Sequence, residues 1–128
     1  MYGWAGKILF VDLSKKKYWV RPLPEEWGKM FLGGRGINAK LLWDYIKPGI
    51  DPLSPDNVII YGAGTLTGTT APCSGRLTIN FKSPVTNLFF KTSLGGHFAA
   101  EMKFAGYDHI VVMGAAEKPT YIWIFDDH

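Results

Sequence analysis

Residues 7–23, Lys-Ile-Leu-Phe-Val-Asp-Leu-Ser-Lys-Lys-Lys-Tyr-Trp-Val-Arg-Pro-Leu, decide how the chain begins to fold. Two runs rich in β-branched and aromatic residues, 7–13 and 18–23, flank a short polar segment, which is typical of a β-hairpin. The basic run 15–17 then lies in the turn, where we expect it to be solvated. Pro22 has no amide hydrogen to donate, so the second strand is predicted to lie at an edge or to end there.

Outward from this hairpin, helical and extended patterns alternate along the chain. Apolar spacing and turn residues predict three short helices, at about 24–32, at about 36–46, and between Gly95-Gly96 and Gly106. Beyond the hairpin, five further strands are expected, at 58–61, 76–82, 88–90, 109–113 and 120–125. The count of about seven strands and three short helices predicts an α+β fold with a mixed or antiparallel β-sheet.

Two of these strands carry more specific expectations. In the strand at 76–82, apolar and polar residues alternate, which predicts one wet face formed by Thr78, Asn80 and Lys82. The strand at 120–125 ends where a hairpin turn to a returning partner would be expected. We therefore expect a chain truncated at its C-terminus, with an exposed strand edge that favours an oligomer.

Composition limits the classes of protein to consider. A chain of 128 residues, 47% of them hydrophobic, can bury one core, so we expect a single domain over residues 1–128. The net charge of +3 suits an anionic ligand but not a nucleic-acid partner. There is no run of 18 apolar residues and no signal-peptide pattern, which predicts a cytoplasmic protein without a membrane partner. Cys73 is the single cysteine, which excludes a disulfide or a cluster held by several thiolates of this chain.

Three motifs resemble known sites, but each has a simpler interpretation. The glycines of Gly34-Arg35-Gly36-Ile37-Asn38-Ala39 follow a helical segment rather than a strand, which favours a tight interhelical connection over a dinucleotide site. Cys73 is too close to Arg76 for a phosphatase loop, and we interpret it as a small residue in a crowded loop. His97 and Glu101 could share a metal on one helix face, but a helix pair is the simpler interpretation because a third ligand is lacking.

The strongest candidate site is Thr92-Ser93-Leu94-Gly95-Gly96 at the entrance to the third helix, together with Arg76. Free backbone N–H groups at a helix start attract an anion, and glycine allows the anion to approach the main chain closely. Arg76 would add a charge-assisted hydrogen bond to a phosphate or a polar ring. The residues alone leave open an anion site or an ordinary glycine-rich helix start.

An ordered series of short motifs, taken together, resembles a known family. The N-terminal domain of the tungsten-dependent aldehyde:ferredoxin oxidoreductases is similar to the whole chain, nearly without gaps. Residues 37–44 also resemble the related tungsten subunit of benzoyl-CoA reductases, which leaves the branch open. The motifs that carry the resemblance are Met1-Tyr2-Gly3-Trp4, residues 31–36 and 51–57, Ala71-Pro72 with Ser74-Gly75-Arg76, Lys82-Ser83-Pro84, and Phe104-Ala105-Gly106-Tyr107-Asp108.

This resemblance implies a β-saddle that carries a tungsten bis-pterin cofactor, whose phosphates are joined through a magnesium ion. In the family, the arginine of the Ser-Gly-Arg motif contacts the pterin and helps to bridge it to an iron–sulfur cluster, a role that would fall to Arg76. The segment 93–95 matches the family's phosphate and magnesium contact. It implies magnesium binding through the backbone carbonyl of Ser93, where the family more commonly has asparagine, and cofactor binding at Gly95.

Two functions of different classes follow. The first is the tungstopterin-binding portion of an aldehyde or related oxidoreductase that passes electrons through an iron–sulfur cluster to ferredoxin. The second is a non-catalytic anion-binding or assembly module descended from that domain. The family's cluster cysteines and catalytic acids match nothing in these 128 residues, so we expect them in the remainder of the enzyme or in a partner subunit. No catalytic residue is assigned, and the chain alone is predicted to be inactive.

Overall fold

The N-terminal hairpin forms as the sequence predicts, in a computed structural model that describes residues 2–126. Strands β1 (Lys7–Asp12) and β2 (Lys17–Pro22) pair antiparallel, with Lys7 opposite Pro22 and Asp12 opposite Lys17. The basic turn is exposed, and the Lys15 amide donates to Asp12 Oδ1 over 3.0 Å. Pro22 ends β2, and β2 lies at a sheet edge. The edge position suits a residue that lacks an amide hydrogen.

Four more strands complete one mixed sheet. They are β3 (Val58–Ala63), β4 (Leu77–Lys82), β5 (Phe89–Leu94) and β6 (His109–Met113). The strand order is β2-β1-β6-β3-β4-β5, so β6 inserts between the hairpin and β3. Strand β6 runs parallel to β1, and the other pairs are antiparallel. Six strands and three helices confirm the predicted α+β class.

Helices cover both faces of this sheet. Helices α1 (Glu25–Phe31), α2 (Arg35–Tyr45) and α3 (Phe98–Phe104) lie where the sequence predicts them. One core cluster joins α2 to β1, β3 and β6, and a second joins α3 to the opposite face. Among residues 2–126, no helix has the length and apolar character that crossing a membrane would take. The first cluster includes Phe10, Ile37, Leu41, Ile60 and Val111, and the second Leu9, Leu77, Ala99, Met102 and Ile110.

Helix α3 ends in a motif that requires a residue with positive φ, a conformation that glycine adopts easily. Gly106 has a φ of +94°, its amide donates to the Lys103 carbonyl over 2.9 Å, and the Tyr107 amide donates to the Met102 carbonyl over 3.1 Å. These two bonds form a Schellman motif, which satisfies carbonyls that the helix would otherwise leave unpaired. Tyr107 and Met102 belong to the same core cluster, so the motif also turns the chain into β6.

The glycines between α1 and α2 form the tight interhelical connection that was predicted. The Gly34 amide donates to the Ala63 carbonyl over 2.9 Å. A side chain at Gly36 would collide with the Phe31 carbonyl oxygen. A helix rather than a strand precedes these glycines, so the strand-fed geometry of a dinucleotide fingerprint is absent from this connection.

Two expectations about strands were wrong. Residues 120–125 form no strand: Ile124 packs on the second core cluster, and the Tyr107 hydroxyl donates to the Asp126 carbonyl over 3.3 Å. β-Branched and aromatic residues favour a strand only where a neighbouring strand covers and pairs with them, and Tyr121, Trp123 and Phe125 are exposed here. Asn80 does not face water but is fully buried, because α2 contacts β4 and covers that face.

Candidate functional site

Arg76 stands at the end of a long loop that is braced by its own hydrogen bonds. The loop 64–76 joins β3 to β4. The Thr67 hydroxyl donates to the Ser74 carbonyl over 2.8 Å, and the Ser74 hydroxyl donates to the Ala71 carbonyl over 2.9 Å. The Arg76 amide donates to the same Ser74 carbonyl over 2.8 Å, while the residue itself is exposed. A braced backbone therefore presents a solvent-accessible guanidinium.

The sheet register brings Arg76 and Gly95 together. Leu77 in β4 pairs with Leu94 in β5, so the next step of the register places Arg76 opposite Gly95. The neighbouring glycine supports this placement, since a Cβ on Gly75 would lie 3.4 Å from the Gly96 carbonyl oxygen. A Cβ built on Gly95 would meet nothing within 4 Å. The main chain at Gly95 is therefore open to close approach by a ligand beside an arginine.

Ser93 adds a buried polar atom to the same strand end. It pairs with Thr78 across the β4–β5 ladder, so the two side chains share one face of the sheet. The Ser93 hydroxyl oxygen is buried and has no hydrogen-bond partner among residues 2–126. A buried hydroxyl without a partner costs about 1–3 kcal/mol, which a polar ligand or water at this point would offset.

The start of α3 forms the remaining side of the candidate site. Gly96 has a φ of +95°, and His97 occupies the N-cap position but makes no side-chain cap hydrogen bond. The Glu101 amide donates to the His97 carbonyl over 3.0 Å. Within residues 2–126, no three His, Cys, Asp or Glu side chains group closely enough to hold a metal ion. His97 and Glu101 therefore belong to no such group within the described part of the chain.

Cys73, which the sequence places in a crowded loop, is in fact exposed and has a φ of +57°. The hydroxyl groups of Thr67 and Ser74 hold the loop by donating to backbone carbonyls. The position of Cys73 therefore depends on the loop and not on packing of its own side chain.

A buried polar network that the sequence did not predict lies behind this site. Asn38 Nδ2 donates to Asn80 Oδ1 over 2.9 Å, and Asn80 Nδ2 donates to the Phe90 carbonyl over 3.1 Å. The network therefore runs from α2 through β4 to β5, the strand that carries Ser93. In the sequence, the network is indicated only by Asn80, an amide side chain in a strand whose alternate residues are apolar. Its partner Asn38 lies 42 residues away.

His109 is the ionisable member of this network. Its Nδ1 lies 2.7 Å from Asn38 Oδ1, and its Nε2 is buried without a partner among the described residues. Burial, with a smaller contribution from the charge of Lys103, lowers the pKa of His109 to about 3. The imidazole is therefore neutral at physiological pH, and Nδ1 carries the proton that is donated to Asn38.

Comparison with known proteins places this architecture in a family. Residues 8–128 match the family model described as aldehyde ferredoxin oxidoreductase, N-terminal domain. A tungsten-containing aldehyde ferredoxin oxidoreductase of Pyrococcus furiosus is 49% identical over 128 residues, which are the whole of this chain and 21% of that protein. The corresponding protein of Thermococcus kodakarensis is 48% identical over the same share.

More distant relatives have other activities. An aliphatic sulfonate oxidoreductase, WOR-like subunit, of Pyrococcus furiosus is 35% identical over 99% of this chain and 20% of that protein. Among solved structures, the active-site complex of a benzoyl-coenzyme A reductase bound to 1,5-dienoyl-CoA superposes with a TM-score of 0.97. The identity is 38%, and the match covers 99% of this chain and 19% of that one.

These matches define an oxidoreductase domain of the class found in tungsten enzymes. The chain belongs to the aldehyde ferredoxin oxidoreductase N-terminal domain family. It spans about a fifth of the length of the curated relatives that it matches.

Proposed function

We propose that this chain is the tungstopterin-binding portion of an aldehyde or related oxidoreductase. The observation that carries the proposal is the meeting of an exposed guanidinium, Arg76, with an unobstructed glycine backbone, Gly95, at one end of the β4–β5 ladder. This pair suits a ligand that is both anionic and bulky, since the cation attracts phosphate and the missing Cβ admits it to the main chain. A pterin phosphate has both properties.

Each residue of the site has a separate task in this proposal. Arg76 donates charge-assisted hydrogen bonds to the pterin and orients it. The amides around Gly95 contact a phosphate, and the backbone carbonyl of Ser93 is a ligand of magnesium, which prefers oxygen donors. The unpartnered Ser93 hydroxyl suits a neighbouring phosphate oxygen in the same arrangement. When bound, the tungsten cofactor supplies the two-electron oxidation chemistry.

The rest of the redox path lies outside this chain. Cys73 is the single cysteine, whereas an iron–sulfur cluster needs several thiolates. The cluster and the proton-transfer groups then come from the remainder of the enzyme or from a partner subunit, with ferredoxin as electron acceptor. The isolated chain, on this account, binds and orients the cofactor but turns nothing over.

The test compares Arg76→Ala with Lys16→Ala in protein produced anaerobically with tungstate. Lys16 lies in the exposed hairpin turn, far from the β4–β5 ladder. An ionic hydrogen bond contributes about 1.5–3 kcal/mol, so the tungsten bound per chain at limiting cofactor should fall about tenfold or more in Arg76→Ala. Lys16→Ala should match the unaltered protein. Equal tungsten content in the two variants would refute the role of Arg76 and favour a non-catalytic module.

A further inference from the structure

Lys103 in α3 holds three backbone carbonyls with one ammonium group. Its Nζ donates to the Gly3 carbonyl over 2.7 Å and to the Gly64 and Thr65 carbonyls over 3.1 Å each. An ammonium has three N–H donors, and all three are used here. The side chain is only 8% exposed, so these bonds form away from water. Lys103 thus connects α3, the N-terminal segment and the start of the loop 64–76.

Asp108 provides the opposite charge beside this ammonium. One of its carboxylate oxygens lies 3.9 Å from Lys103 Nζ, and the side chain is 2% exposed. The carboxylate also accepts the Ala5 amide over 2.9 Å and the Gly6 amide over 2.6 Å. Burial lowers the pKa of Lys103, and the charge of Asp108 opposes that shift. The two ends of the motif Lys-Phe-Ala-Gly-Tyr-Asp therefore both bind the N-terminal segment.

The loop also packs against α3 at a second point. A Cβ on Gly68 would lie 3.3 Å from Phe104 Cε1 and 3.7 Å from the Ala100 Cα. A Cβ on Gly3 would lie 3.2 Å from the Thr65 carbonyl oxygen, which shows how closely the N-terminal segment covers the loop start. The loop is therefore held to α3 at its first residues and again at Gly68.

We propose that Lys103 is a positioning residue that holds the loop 64–76 against α3 and so orients the loop that ends at Arg76, an inference that rests on the proposed function. Arg76 ends the loop that Lys103 holds, and Gly95 lies just before the helix that carries Lys103. The ammonium thus links the two elements that supply the two halves of the site. The Lys103 ammonium itself is directed at backbone carbonyls.

The energetic cost of burying Lys103 indicates that this residue fixes local geometry and does more than stabilise the fold. Burying an ammonium and a carboxylate carries a large desolvation cost, and apolar residues of similar size often give equal or greater stability. What an apolar residue cannot do is direct three donors at carbonyls from two separate segments. The benefit of Lys103 is therefore the fixed arrangement of the loop start.

The experiment measures amide hydrogen exchange by mass spectrometry in Lys103→Met and, as a matched control, in Lys118→Met, where an exposed lysine is changed. In Lys103→Met, exchange should become about tenfold faster or more over the loop 64–76, since charge-assisted bonds to its carbonyls are lost. Exchange in β1 and β6 should remain within about twofold. Lys118→Met should leave all three segments unchanged. Unchanged loop exchange, or an equal increase in the loop and both strands, would overturn the proposal.

If Lys103→Met does not fold, Lys103→Gln gives the same comparison, because its neutral amide keeps two donors and still loses the charge. A second readout separates positioning from stability. In a cofactor titration, Lys103→Met should weaken tungsten binding when Arg76 is present and have no further effect in the Arg76→Ala background. Equal weakening in both backgrounds would overturn the proposal. If Arg76→Ala itself leaves tungsten binding unchanged, the proposed function fails, while loop exchange still decides the role of Lys103.

Discussion

The imidazole Nδ1 of His109 lies 2.7 Å from the side-chain oxygen of Asn38, and both residues are completely buried. The contact spans 71 positions of sequence and joins β6 to α2. The His109 imidazole in this contact is neutral, because burial disfavours the charged form that a second proton would create. The stability of the folded protein is therefore coupled to pH through this side chain.

The first prediction concerns this coupling. The pKa of His109 is about 3 in the folded protein, against an ordinary 6.5. The unfolded chain therefore binds a proton more readily, so stability is fully present above about pH 6.5 and falls as the pH drops toward 3. Between pH 7 and pH 5 the loss should be up to about 2 kcal/mol, measured by urea unfolding.

The matched variants for this measurement are His109→Gln and His97→Gln. His97 is exposed at the α3 N-cap, so its removal should leave the pH dependence intact. His109→Gln should remove most of the loss between pH 7 and pH 5. An undiminished pH dependence in His109→Gln would show that other groups cause it.

The second prediction tests the buried amide of Asn80. Asn80→Ala removes two side-chain hydrogen bonds, from Asn38 Nδ2 and to the Phe90 carbonyl, and leaves a cavity beside Asn38, whose Nδ2 keeps only longer bonds of 3.2–3.4 Å. We expect unfolding free energy to fall by about 2–4 kcal/mol. The control is Asp56→Ala, a change of similar size at an exposed turn, which should cost less than about 0.5 kcal/mol. Similar costs for both changes would contradict this account of the network.

The third prediction concerns space at Gly62 in β3. A Cβ there would collide with Asn38 Oδ1 and lie 2.7 Å from His109 Nδ1. Because both atoms belong to a buried hydrogen bond, neither moves freely, and Gly62→Ala should destabilise the fold by about 3 kcal/mol. Chemical denaturation of this variant gives the number. A cost below about 1 kcal/mol would mean that the Asn38–His109 pair can shift.

The fourth prediction separates backbone conformation from space. At Gly106 a Cβ would meet nothing within 4 Å, yet φ is +94°. Gly106→Ala should therefore cost about 1 kcal/mol through backbone strain alone. Thermal unfolding at fixed pH measures it, and a variant as stable as the parent would remove the strain argument for the Schellman turn.

The fifth prediction concerns Gly95, where neither a steric collision nor a positive φ opposes a larger residue. Its φ is not positive, and a Cβ there has open space, so Gly95→Ala should change unfolding free energy by less than about 1 kcal/mol. If a phosphate contacts the Gly95 main chain, the same variant should bind less tungsten cofactor. Metal analysis alongside denaturation distinguishes the two effects, and full tungsten content in a stable variant would exclude close approach at Gly95.

Local patterns predicted the local elements well, and tertiary contacts explain what they missed. The hairpin, the three helices and the glycine connection depend on propensities and turn residues within a few positions of each other. The alternation in β4 predicted that Asn80 faces solvent, because a local pattern cannot show that α2 covers that face of the strand. The partnership of Asn38 with His109 depends on β6 inserting beside β3, which no short pattern encodes. The predicted strand at 120–125 shows that propensity without a hydrogen-bonding neighbour does not make a strand.

The site residues show the same division. The sequence singled out Arg76, Ser93 and Gly95, and the β4–β5 register brings them together. Lys103 was missed because its importance lies in three carbonyls from distant segments. The sequence offered one indication, a lysine near the end of a short helix and close to Gly106-Tyr107-Asp108. That pattern does not show that the N-terminal segment lies within reach of the lysine.

The insertion of β6 between β1 and β3 has a consequence for how the domain is made during translation. The first hairpin is synthesised before its neighbour in the sheet, β6, which begins only at His109. The free edge of β1 therefore stays unpaired until β6 has been synthesised. Non-local pairing of this kind slows folding and prolongs exposure to other chains. The hairpin is thus open to contact with other chains for as long as synthesis takes to reach β6.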